Sequence, residues 1–101
     1  MNIDVCGVKY NVFQVEEVDN DPSYLGLCIY RESVIQIKKS LSIERKKQVL
    51  VHEMLHAMLY EAGYDEHDEE QVKNLSIVFN QVLNQNNLKA TLNELEQLSS
   101  S

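Results

Sequence analysis

His52, Glu53 and His56 sit together in the stretch His52-Glu53-Met54-Leu55-His56, inside a segment whose apolar residues recur at helical spacing. Residues four apart share one face of a helix, so both imidazoles can hold a single ion through nitrogens about 2.0–2.1 Å from it. Glu53 lies about 100° around the helix from His52, beside such an ion without being needed as a ligand. There its carboxylate can take a proton from an attacking water and pass it to a leaving amine. A zinc ion in that place lowers the pKa of its water towards roughly 7 and polarises a carbonyl. The bland alternative is a core helix with two satisfied histidines and an exposed glutamate. It must bury two imidazoles one turn apart without a shared partner, which is costly.

A catalytic zinc needs a third protein ligand and an open fourth position. The candidates after Gly63 are Asp65, Glu66, Asp68, Glu69 and Glu70, together with His67. Glu69 shares a helical face with Val72, Ser76 and Phe79, at offsets of three, seven and ten, and so points inward. Glu70 shares its face with Lys73, Asn74 and Ile77, a more solvent-like set. Glu69 is therefore the favoured ligand, with His67 and Glu70 as alternatives. Asp68 and Glu70 suit a capping role in the first turn of that helix. Tyr60, Tyr64, His67 and Arg31 are the candidate donors to a developing oxyanion, and the sequence does not rank them.

These residues need elements to hold them. Residues 3 to 16 alternate, with Val8, Tyr10 and Val12 in one phase, and Gly7 stands where the chain would reverse. A phase shift at Phe13 and Val15 suggests a bulge or the end of the strand. Residues 19 to 23 read as a loop, 25 to 30 as a strand, 31 to 33 as a turn, and 34 to 37 as a partner strand with Ile35 and Ile37 on one side. The period then lengthens to about 3.6. Ser42 is the expected N-cap and Glu44 the first-turn acid of a helix running through Val49, Leu50, Leu55, Met58 and Leu59 to a stop near Gly63. A second helix is expected from about Asp68 to Asn86, with Val72, Leu75, Phe79, Val82 and Leu83 as its apolar stripe. Leu88, Leu92, Leu95 and Leu98 suggest a third. Strands first and helices after predict an α+β fold: one domain with a β-rich part over 1–38, a helical part over 42–98, and a frayed tail over 99–101.

A chain of 101 residues bounds this to one domain with a small core. No apolar run approaches the roughly 18–20 residues of a membrane span, and the first residues lack the pattern of a secretory signal, so a cytoplasmic protein is expected. The formal charge of −7 argues against a general nucleic-acid binder. Lys38, Lys39, Arg45, Lys46 and Lys47 form one basic stretch, read as the decoration of a solvated helix start. Cys6 and Cys28 read as two buried, reduced thiols on strands.

The segment VIQIKKSLSIERKKQVLVHEMLHAMLYEAG followed by DEEQVKNLSIVF resembles the ImmA/IrrE-type zinc metallopeptidases, in particular the short versions among phage and mobile-element proteins. The likeness spans roughly residues 25–83. It implies a minimal zincin: a small twisted antiparallel sheet packed on the metal-binding helix. It also implies zinc held by His52, His56 and Glu69, with Glu53 as the base. The hairpin over 25–37 would offer an open edge to an extended peptide. The family's second helix typically reads E-x-x-A-x-x-F-A, whereas here Val72, Leu75 and Ser76 occupy the apolar or small positions. The metzincin pattern does not fit, since Leu59 and Ala62 stand where its glycine and third histidine belong. The reading that follows is a zinc peptidase acting on a specific cytoplasmic protein, such as a regulator of a mobile element. The alternatives are a non-catalytic binding module stabilised by zinc, and an acidic inhibitor or decoy protein.

Overall fold

The computed structural model describes residues 1–100 and is α+β, a four-stranded sheet followed by three helices. Strand β1 (Asn2–Val5) turns through Cys6 and Gly7 into β2 (Val8–Val15). Both turn residues have positive φ, 52° and 80°, the conformation that matches a two-residue hairpin turn to strand twist. Cys6 is therefore an exposed turn residue, not a buried strand one, while Cys28 is buried and both thiols are free.

A short 3-10 turn (Val18–Asn20) leads to β3 (Gly26–Ile29), and a second one (Tyr30–Glu32) leads to β4 (Val34–Lys38). The strand order is β1-β2-β4-β3. β3 and β4 are antiparallel, but β4 lies parallel to β2, so the sheet is mixed and not antiparallel throughout as expected. The cause is the connection over residues 16–25. It passes the end of β4's position, carries β3 to the outer edge, and leaves β4 to return in the direction of β2. No bulge interrupts β2: its register with β4 is continuous from Asn11 to Val15, and Phe13 simply faces outward, 51% exposed.

Tyr10, Val12, Cys28, Ile35 and Ile37 form the buried side of the sheet, covered by Val49 and Ala57 of helix α1 (Ile43–Glu61). Ser42 caps α1, its hydroxyl accepting from the Arg45 N–H, and the helix stops two residues before Gly63. Its buried residues are Val49, Val51, Glu53, His56 and Ala57. Met58, expected inside, is 41% exposed, because the face aimed at the sheet runs through Val49, Glu53 and Ala57. The Tyr10 hydroxyl donates to Glu61 Oε2 at 2.5 Å and ties β2 to the end of α1.

Helix α2 (Glu69–Gln85) packs on α1 through Val72 and Ser76 alone among its buried residues. Leu75 is 60% exposed, and Val82 and Leu83 are partly so. The expected stripe is apolar, but α1 underlies only its first two turns. Helix α3 (Leu88–Ser100) continues past Leu98, where the apolar pattern ends, and Ser101 lies outside the described residues. Among the described residues no helix is long and apolar enough to cross a membrane.

Candidate metal centre

Two helices meet at one point. α1 presents His52 and His56 one turn apart, with ring centroids 5.0 Å from each other. Asp68 caps α2 by accepting from the N–H groups of Glu70 and Gln71 at 3.0 and 3.2 Å. That cap places Glu69 as the first helical residue, where its carboxylate reaches back to α1. Glu69 Oε1 lies 2.8 Å from His52 Nε2 and Oε2 lies 3.0 Å from His56 Nε2. Ligand atoms of these three residues all fall within 4.8 Å of one another.

This donor set fits a metal ion. Two imidazole nitrogens and a carboxylate are a known composition for a three-ligand site with an open fourth position. Glu69, with a side chain 69% exposed, has room to adjust around an ion.

Glu53 is buried at the side of this cluster, 9% exposed. Burial pushes its carboxyl up to about 7; the Glu69 carboxylate adds to the rise, while the His52 charge and the backbone N–H of Cys28 oppose it. Glu69 goes the other way. Against its own partial desolvation, the hydrogen bonds and charges of His52 and His56 hold it below the usual carboxylate range. Burial likewise lowers His56, opposed by Glu69, which favours the neutral, ligating imidazole.

The cluster opens into a groove of about 760 Å³ lined by Gly26, Leu27, Cys28 and Tyr30 on one side and by Arg45, Gln48 and Lys73 among others on the rest. β3 is an edge strand. The Lys38 N–H donates to Leu25 O, which fixes the ladder phase: Leu27 and Ile29 bond to β4, and the backbone groups of Gly26 and Cys28 point away from it. The approach of β3 to α1 depends on Gly26. A Cβ there would run into Val49 Cγ1 and come within 3.4 Å of Glu53 Cγ.

His52, His56, Glu69 and Glu53 are thus brought together as the spacing predicts. Glu70 is exposed and takes part only through its N–H in the Asp68 cap. His67 lies behind His56 and outside the three-residue ligand group. Among the candidate oxyanion donors, Tyr60 and Arg31 line an adjoining hollow that shares Leu27, Cys28 and Tyr30 with the groove, and Tyr64 is 62% exposed. The residue the sequence reading missed is Tyr30, which lines the groove beside His52, Glu53, His56 and Glu69. Its ring stacks on Tyr60 at 4.5 Å. Burial first, then the charges of Cys28, Glu53 and Glu69, pushes its hydroxyl up to about 12, so it stays a proton donor. The one signal available was its place at the end of the strand that borders the motif helix.

No protein-family model, curated protein or solved structure matches this chain. The functional reading therefore rests on the site.

Proposed function

We propose that this protein is a zinc-dependent peptidase of the ImmA/IrrE-like kind, cutting a specific protein substrate. The observation that carries the reading is the convergence of His52, His56 and Glu69 next to a buried Glu53, at the open edge of β3. Zinc, when bound, supplies an electrophile and a water of lowered pKa. The chain's own residues do the rest. An extended peptide lies along β3, pairing with the outward backbone groups of Gly26 and the carbonyl of Cys28 as a further strand would, while the Cys28 N–H stays with Glu53. Glu53, poised near neutrality and fixed by the Cys28 N–H, takes the proton of the attacking water and returns it to the leaving amine. Tyr30 donates its hydroxyl hydrogen to the carbonyl oxygen as charge develops there.

Purified protein should contain one equivalent of zinc and cut a sequence within a diverse peptide library. The Glu53→Gln variant should keep its zinc and fold while cleavage falls by at least 10²-fold, the low end for a general base. Stoichiometric zinc with no cleavage by the wild-type chain would favour a zinc-stabilised binding module instead. A folded wild type that takes up no zinc would refute both readings.

A further inference from the structure

His67 is bonded at both ring nitrogens. Its Nε2 lies 2.6 Å from the carbonyl oxygen of Tyr64, and its Nδ1 lies 2.9 Å from Nδ1 of His56. A carbonyl oxygen only accepts, so the proton of a neutral His67 is on Nε2 and its Nδ1 carries the lone pair. That lone pair faces His56 Nδ1, which must then be the N–H donor. The opposite nitrogen of His56, Nε2, is the one that faces Glu69. The direction of the hydrogen bonds is thus set from one end: His67 donates to Tyr64, His56 donates to His67, and the remaining lone pair of His56 points into the ligand cluster.

We propose that His67 is a positioning residue that fixes the tautomer and the ring orientation of His56 for metal binding. It is not itself a ligand, since neither of its nitrogens is free to turn to the ion. The packing is consistent with a fixed ring. His67 lies against His56 with centroids 5.1 Å apart and planes 23° from parallel, and its other contact is edge-on to Tyr30 at 6.1 Å. Ligating histidines generally use such an outer partner on the second nitrogen, and losing it weakens metal affinity by roughly 10–100-fold. The arrangement has a further consequence here. His67 stands two residues before Glu69, so one short segment supplies a ligand from α2 and orients a ligand on α1.

The proposal rests on the zinc site, and its test separates the two. Zinc is titrated into wild type, His67→Ala and His67→Asn against a competing chelator. Proton and nitrogen NMR of histidine-labelled, zinc-loaded protein then reports which nitrogen of His56 holds the metal and how fast its other N–H exchanges. Asparagine places a carbonyl oxygen close to where Nδ1 of His67 sits, so it can accept from His56. The wild type should bind through Nε2 of His56 and show a slowly exchanging Nδ1–H. His67→Ala should bind zinc roughly 10–100-fold more weakly and lose the protection. His67→Asn should recover most of both. Wild-type affinity in His67→Ala, or ligation through Nδ1 of His56 in the wild type, would overturn the role of His67 while leaving the zinc site standing. No uptake by the wild type would overturn the zinc site and this role together.

Discussion

Replacing Gly26 by alanine tests the contact that brings the edge strand to the motif helix. The added methyl would lie 3.2 Å from Gln36 O and 3.4 Å from Glu53 Cγ, and far inside the 3.0 Å limit that real Cβ atoms respect from Val49 Cγ1. Little around it can yield. Val49 is 8% exposed within the main core, and Gln36 O belongs to the backbone of β4. The strand or the helix must move, which is overpacking, at a cost of about 1–3 kcal/mol. For a domain of this size each kcal/mol lowers the melting temperature by roughly 4–8 °C. Urea unfolding of Gly26→Ala, Val49→Ala and the double variant measures it. Val49→Ala alone costs about 1–3 kcal/mol through lost burial and a cavity, but it also removes the methyl that obstructs the new Cβ. The double variant should therefore be more stable than the sum of the single losses by about 0.5 kcal/mol or more. Additivity within about 0.3 kcal/mol, or a Gly26→Ala variant as stable as wild type, would show that β3 does not press on α1 as described.

The remaining predictions concern the ligands and the buried phenol and thiol. Structural zinc sites gain about 10–16 kcal/mol from four ligands, so removing one in Glu69→Ala should weaken zinc binding by roughly 10²–10³-fold in a chelator competition, and an unchanged affinity would exclude Glu69 from the site. Tyr10→Phe deletes the 2.5 Å bond to Glu61 and should cost about 1–2 kcal/mol in urea, less if Glu61 regains water fully. Burial pushes Cys28 up to about 12 and also raises Tyr10, from ordinary values of 9.0 and 10.0. The folded state favours their neutral forms, so their contribution is intact below about pH 9 and is lost as pH rises from there towards 12. The urea midpoint should fall over that range, less steeply in Cys28→Ala, and a flat profile up to pH 11 would contradict the burial assigned to these groups.

How much of this was legible in the sequence differs from element to element. Glu69 was, because helical phase is local: offsets to Val72 and Ser76 decide which way a first-turn side chain points, and both are buried. Ser42 and Gly7 were legible for the same reason. The parallel pairing of β2 with β4 was not, because a hairpin signal describes neighbours in sequence and β4 finds its second partner far back in the chain, Val34 opposite Asn11. Phe13 read as a shift of phase, yet its register is regular; an exposed aromatic on an open sheet face looks the same in sequence as a bulge. The leucines of α2 and α3 show where periodicity stops informing. It marks which face is apolar, but whether anything covers that face depends on where α1 ends. The roles proposed for Tyr30 and His67 were not legible, because the groove beside Tyr30 and the His56 ring beside His67 are brought to them only by the fold.

The two glutamates at the centre show how one small site can assign different chemistry to the same side chain. Glu69 lies close enough for its charge to add to the rise of Glu53. What separates them is the surroundings. Glu53 comes from the inner face of α1, under an edge strand held close by Gly26, and burial outweighs its partners to raise it to about 7. Glu69 comes from the exposed first turn of α2, where two imidazoles bond to its oxygens and hold it ionised. Carboxyls driven apart in this way are suited to divided work, the ionised one to hold a cation and the one near neutrality to move protons. Exchanging the roles would require turning the Glu53 face of α1 away from the sheet and burying the first turn of α2, which packs on α1 alone among the helices and strands with extensive contacts. On the proposed reading, the division between ligand and base follows from which helix each glutamate stands on.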